Sequence, residues 1–292
     1  MDLIARIADI IIPVFLIVAI GYGYARRRAI DLHSFNRIAL DVLAPLLVYS
    51  ALASRDFVIG EYVPLLIGGT VIILASGLVA WPLAKAFGAQ PRTLVPVVMF
   101  NNCGNMGLPL ALLAFGPAEF GAAVALFSVS NLLHFSLGAR ITSAAARTRD
   151  LLLSPLMIGT LLGFLSAFTD VRPPPVVLSG LKLLGDALLP MMLFALGVRL
   201  TALTRQGMKL GLLGALARPL IGLAIGIPLA WAMGLEGAAR SQLLLFAALP
   251  PAVIQFMLAD RYHQEPETVA ASIMVGNALA VVFVPLALAL GL

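Results

Sequence analysis

Apolar residues run along the chain in ten long stretches separated by short clusters of charge, proline and glycine, at about 7–25, 35–53, 61–86, 93–115, 120–142, 151–169, 176–198, 207–233, 240–259 and 268–291. A run of about 20 apolar residues matches the ~30 Å hydrocarbon core of a bilayer as a helix, and an unclosed sheet would strand its backbone groups in lipid. The pattern therefore predicts an all-α integral membrane protein with ten transmembrane helices. Composition agrees: 61% of the residues are hydrophobic and 11% charged, with a mean hydropathy of +1.03. Soluble domains carry about 25% charged residues. No length is left for a soluble enzyme domain or a nucleic-acid-binding module. The first stretch runs past signal-peptide length and ends in Arg26, Arg27 and Arg28, so it reads as a span and not as a cleaved leader. One cysteine, Cys103, excludes an internal disulfide and a cysteine-based metal cluster, and neither a metal nor a cofactor is expected.

Charge sets the expected orientation. Thirteen of the 19 basic residues flank the odd-numbered connectors, among them Arg26 to Arg28, Arg92, Arg140, Arg147, Arg149, Arg205 and Arg261. Arg6, Arg55, Arg172 and Arg240 lie on the other side, and Lys182 and Arg218 fall inside spans. The positive-inside rule makes the first side cytoplasmic and places both termini outside the cytoplasm of a cell (inner) membrane. The net charge of +5 follows from these loops and requires no nucleic-acid partner.

Ten spans divide into two fives of opposite orientation, residues 1–146 and 147–292, and the halves share features. Pro13 and Gly21 in span one match Pro155 and Gly163 in span six. Asp41 and Pro45 match Asp186 and Pro190 at a shift of 145, while Pro82, Gly88 and Asn131 match Pro228, Gly234 and Asn277 at 146. A 5+5 inverted repeat is the mark of alternating-access secondary transporters, whose sites lie near the midplane where broken helices meet.

Two spans carry such breaks. Span four reads Asn101, Asn102, Cys103, Gly104, Asn105, Met106, Gly107, Leu108, Pro109. Glycine and proline cost a helix about 1 and 3 kcal/mol, and asparagine competes for backbone hydrogen bonds. Span nine has Pro250, Pro251 and then Gln255. Gly104, Gly107, Pro109, Pro250 and Pro251 are the expected hinges. Asn101, Asn102, Asn105 and Gln255 are the expected substrate ligands, because half-helix N-termini carry partial positive charge and free N–H donors for an organic anion.

These residues also carry a resemblance. Asn102 to Leu110, followed by Phe115 and Gly116, is similar to the N-x-x-x-x-G-x-P-L stretch of the auxin efflux carrier family, which contains plant auxin carriers and bacterial dicarboxylate carriers such as malonate permeases. Leu249, Pro250, Phe256, Ala259, Tyr262, Pro266, Ser272, Gly276 and Pro285 fall at that family's spacing. Two departures stand out: Ser154, Pro155, Leu156 and Met157 replace an N-P-N-x-Y stretch, and Gln255 stands where plant carriers have proline. The resemblance implies crossing helices four and nine, a scaffold of spans one, two, six and seven, and a transport domain of spans three to five and eight to ten. It also implies elevator-type movement of a small carboxylate, auxin-like or dicarboxylate, and a homodimer in the lipid bilayer.

Other polar residues inside spans are read by their cost in lipid. Asp41 and Asp186 stand one turn before matched prolines and are candidates for proton coupling. Each also has a base one turn earlier, Arg37 or Lys182, so an ion pair is the alternative. His134 is a third coupling candidate, against the commoner role of a hydrogen-bonded core histidine. Arg218 lies about 16 Å inside span eight, too deep to snorkel, and is expected either to complete the anion site or to pair with Asp186. Gly159 and Gly163, and Gly222 and Gly226, mark close helix contacts, within one chain or between two. No nucleophile–base pair and no dinucleotide or phosphate-loop motif is present, which argues against an enzyme. The alternative transporter class is a sodium-coupled symporter of the bile-acid type, which would need clustered oxygen ligands.

Overall fold

The computed structural model describes residues 3–54, 57–201 and 207–291, and Arg55 and Arg205 of the charge pattern lie outside them. Among the described residues the secondary structure is helical and contains no strand. In chain order the helices are α1 (Leu3–Ala25), α2 (Leu32–Leu52), α3 (Ile59–Ala86), α4 (Pro91–Met99), α5 (Cys103–Phe115), α6 (Phe120–Thr142), the short α7 (Thr148–Leu152), α8 (Pro155–Thr169), α9 (Pro175–Leu200), α10 (Met208–Ala232), α11 (Gly237–Ala248), α12 (Val253–Arg261) and α13 (Pro266–Gly291). Seven of these, α1, α2, α3, α6, α9, α10 and α13, are long and apolar enough to cross a membrane. The breaks expected in the fourth and ninth stretches are present, each as two helical pieces with an extended joint, whereas the stretch around 151–169 yields a helix of only 15 residues, α8, about 22 Å long.

Local chemistry explains the irregular turns. Residues Ala39–Leu43, Cys103–Gly107 and His134–Gly138 form wide π turns, in which an N–H reaches back five residues. The first two end immediately before Ala44–Pro45 and Leu108–Pro109. A proline ring collides with the carbonyl four residues back, and the extra residue of a π turn moves that carbonyl aside. The third ends in Gly138, where the Phe100 ring leaves no room for a Cβ, lying 2.5 Å from where one would stand.

Small residues set how closely the helices approach. Along α1 and the second half of α9, a Cβ on Gly21 would lie 2.1 Å from the Phe194 carbonyl oxygen, and one on Gly197 would lie 1.9 Å from that of Val18. The same relation recurs between α8 and α2, where Gly159 meets Pro45 and Gly163 meets Leu52. Gly222 and Gly226 meet Ala247 on α11. Both G-x-x-x-G spacings therefore serve contacts within the chain. Because the clash at Gly197 is with main chain, which cannot swing aside, Gly197→Ala is expected to cost about 1–3 kcal/mol. Thermal melting of the purified protein in detergent measures this, and an unchanged melting temperature would show that α1 and α9 can separate freely.

Candidate functional site

The two broken segments meet each other. After α4 the chain is extended at Phe100, and after α11 it is extended at Leu249 and Ala252. The Asn102 N–H donates to the Pro250 carbonyl at 2.7 Å and the Ala252 N–H to the Phe100 carbonyl at 3.0 Å, with Asn101 opposite Pro251 in an antiparallel bridge. In such a bridge the facing residues exchange no hydrogen bond, so the N–H that Pro251 lacks is not missed. Backbone freed inside an apolar protein thus finds its partners in the other break.

Beyond this joint two helices begin. The first-turn N–H groups of Cys103, Gly104 and Asn105 on α5, and of Val253 and Ile254 on α12, have no carbonyl within their own helix. All five residues line one small cavity of about 40 Å³. Its polar wall is Asn101, Asn102, Asn105, Ser130, Asn131 and His134, and its apolar wall comes from Leu40 and Ala44 of α2, Leu156 of α8, and Leu188 and Met192 of α9. Space of this size holds on the order of three waters.

The amides around the cavity differ in how fully they are used. Asn102 Nδ2 donates to Asn277 Oδ1 at 3.0 Å, and Asn277 Nδ2 donates to the Ile273 carbonyl at 2.8 Å. Asn101 Nδ2 donates to the Phe246 carbonyl at 2.6 Å. Among the described residues, Asn101 Oδ1 and Asn131 Nδ2 are buried without a hydrogen-bond partner. Native interiors seldom leave such groups unsatisfied, and those that remain point to a missing water or ligand. Asn131 and Asn277 were visible in the sequence as a repeat-related pair, but nothing local marked them as neighbours of the breaks.

Gln255 is committed elsewhere. It does not line the cavity: its Nε2 donates to Thr142 Oγ1 at 3.0 Å, and its Oε1 lies 3.0 Å from His134 Nε2. The Thr142 hydroxyl donates to the Gly138 carbonyl at 2.9 Å. The chain of donors is consistent only if the amide oxygen faces the imidazole and Nε2 carries the ring hydrogen. His134 also stacks on Phe100 with the ring centroids 4.1 Å apart and the planes 5° off parallel. The histidine is therefore held on both its edge and its face beside the cavity.

Arg218 does not pair with Asp186 and does not line the central cavity. It is completely buried, and its Nη1 and Nη2 donate to the carbonyls of Ala247 at 3.1 Å and Phe246 at 3.4 Å. These carbonyls belong to the last turn of α11, where intrahelical donors run out and the helix end is partly negative. Arg218 caps a helix that stops inside the protein. Gly222, one turn further along α10, leaves room for this: its Cβ would lie 2.1 Å from the Ala247 oxygen and 2.3 Å from Nη1. The ion pair with Asp186 is not formed, because Asp186 Oδ2 takes Lys182 Nζ at 2.6 Å. Asp41 stands 3.8 Å from Arg37, and both carboxylates lie outside the central cavity. Among the hinge residues, Gly104 faces the Phe127 ring and Gly107 faces Leu249, while Pro109 is buried in the first turn beyond the π segment.

Comparison with known proteins covers the same ground. A family profile described as "Membrane transport protein" matches residues 7–288. A putative malonate transporter of Rhizobium meliloti is 25% identical over 95% of this chain and 93% of its own length. An uncharacterized transporter of Methanocaldococcus jannaschii is 23% identical over 95% of this chain and 96% of its own. Auxin efflux carrier component 8 of Arabidopsis thaliana is 27% identical over 45% of this chain and 38% of its own length.

Proposed function

The chain belongs to the membrane transport protein family of the auxin efflux carriers, and from that premise we propose that it is a secondary transporter of a small organic anion, a carboxylate, bound at the joint between α5 and α12. One observation carries this reading: the N-terminal turns of two helices, at Cys103–Asn105 and at Val253–Ile254, line one cavity together with Asn131, whose Nδ2 has no hydrogen-bond partner among the described residues. Donors gathered without a full positive charge suit a carboxylate that must be both bound and released. Among the described residues the wall of this cavity carries no carboxylate, which weighs against the sodium-coupled alternative.

The proposal includes a ten-span 5+5 inverted repeat, with α4–α5 and α11–α12 as the crossing fourth and ninth spans. The exchange of partners supports it, since α1 lies on α9 just as α8 lies on α2, which is span one on seven and span six on two. On this reading α1, α2, α8 and α9 form a scaffold. The remaining long helices form the moving part, and alternating access is an elevator-type displacement between the two. The cavity supports such movement because it is too small for a carboxylate with a carbon skeleton, so binding requires the α2, α8 and α9 wall to withdraw. The basic-residue asymmetry supports termini outside the cytoplasm, and the resemblance extends the reading to a homodimer.

The test is uptake of radiolabelled malonate and phenylacetate into proteoliposomes holding the purified protein. Saturable uptake of at least one, competed by other carboxylates and indifferent to a sodium gradient, is expected. Absence of flux for both would overturn the carboxylate reading, and strict sodium dependence would move the protein to the alternative class.

A further inference from the structure

Two larger cavities flank the central one. One, of about 400 Å³, has Lys182 and Asp186 on its wall. The other, of about 210 Å³, has Asp41 and Arg261. The second shares Leu40, Leu156 and Ile254 with the central cavity. The first is separated from it by less than one helical turn, from Asp186 to Leu188 on α9 and from Leu47 to Ala44 on α2. One borders the central cavity through shared wall residues and the other through neighbouring residues of α2 and α9.

The acid–base pairs beside these cavities are related by the repeat. Arg37–Asp41 and Lys182–Asp186 are both one turn apart on the helix, and each residue of the first pair lies 145 positions before its counterpart in the second. Asp41 and Asp186 stand four residues before Pro45 and Pro190, at the start of the helical segments that wall the central cavity. A pair kept only to stabilise a helix would not need a vestibule. Both pairs are also substantially exposed, with Lys182 at 60% and Asp186 at 41%, and exposed pairs are weakly held and open readily.

Resting on the transport reading above, we infer that the Lys182–Asp186 vestibule is a docking subsite in which the Lys182 ammonium receives the carboxylate of an incoming solute in exchange for Asp186. The exchange replaces one carboxylate by another, so the ammonium is never left bare and the solute is never bound by an uncompensated charge. That combination allows capture followed by release toward the joint. The rest of the wall sets the class of ligand. Leu47, Leu112, Phe120 and the stacked pair Phe57 and Tyr62, with ring centroids 4.7 Å apart, form a largely apolar face beside Lys182, the one cation among the described residues of the wall. The subsite therefore fits a carboxylate with an apolar body better than a bare one, with phenylacetate preferred to acetate. Asp41 is the repeat-related counterpart on the other side.

The experiment is phenylacetate uptake kinetics in proteoliposomes for the wild type, Lys182→Gln, Lys182→Arg, Asp186→Asn and the double variant Lys182→Gln with Asp186→Asn. Removing the receiving charge is expected to raise KM about tenfold with little change in the maximal rate and to flatten the dependence on ionic strength. Lys182→Arg should keep the wild-type KM. Asp186→Asn should lower KM, because the ammonium no longer has a competitor, and the double variant should keep the raised value. A structural ion pair gives the opposite pattern: both single variants lose folded yield, the double variant recovers it, and KM stays constant throughout. That pattern, or an unchanged KM in Lys182→Gln, overturns the subsite while leaving the transport reading intact. A wild type that moves neither phenylacetate nor malonate removes both.

Discussion

Arg218→Met is expected to lose about 2–5 kcal/mol of stability and most of its folded yield in detergent. Two effects oppose each other at this position. A guanidinium buried without a carboxylate bears a desolvation cost, and methionine would remove that cost while nearly filling the space. Its acceptors, however, are main-chain carbonyls, which no side-chain substitution can take away. When both members of a buried charged contact are replaced by apolar groups the result is often neutral, but removal of one member leaves the other orphaned. The Ala247 carbonyl would then face an apolar interior at the end of α11, while the Phe246 carbonyl would keep only Asn101 Nδ2. Each charge-assisted hydrogen bond lost is worth about 1.5–3 kcal/mol, which decides the sign. Size-exclusion profiles after a temperature series measure the effect. A variant that melts with the wild type yet no longer binds carboxylate would show that Arg218 serves the substrate and not the helix end.

Asn131→Leu is expected to do the reverse, keeping or raising the melting temperature while transport falls about 10- to 100-fold. Its side chain is 3% exposed and its Nδ2 has no partner among the described residues. A donor without a protein partner gives the fold no internal hydrogen bond to lose, and leucine of similar size fills its place with apolar surface. If the same donor is completed by the substrate, a hydrogen bond to a charged group worth about 1.5–3 kcal/mol is lost with it, which corresponds to the stated factor. The proposed repeat supplies a control. Asn277 occupies the matching position, but its oxygen accepts from Asn102 and its nitrogen donates to Ile273. Asn277→Leu should therefore lower stability first. Uptake by Asn131→Leu at the wild-type rate would place binding somewhere other than this cavity.

The amino-acid sequence by itself determined much of what depends on neighbours within about one helical turn. Hydrophobic runs marked the helices. Asn101 to Pro109 and Pro250 with Pro251 located the two breaks, because the missing donor of a proline and the backbone freedom of a glycine act where they stand. The shift of 145–146 tied the halves together and brought Asp41 and Asp186 into correspondence. Each aspartate was already readable as the partner of a base four residues earlier, and the structure forms both pairs.

Only the tertiary structure decided which distant polar groups satisfy each other. Arg218 and Ala247 are 29 residues apart, His134 and Gln255 are 121, and Asn102 and Asn277 are 175. No periodicity in the chain encodes those pairings. They follow from how closely α10 can approach α11 at Gly222, and from an antiparallel joint that turns Gln255 away from the cavity and toward Thr142. In a dry interior each polar group takes the partner that geometry brings within about 3 Å. A sequence can therefore show that Gln255 and Arg218 must be satisfied without showing by what, and it gives no sign that Asn131, apart from the breaks in the chain, is among the amides left open.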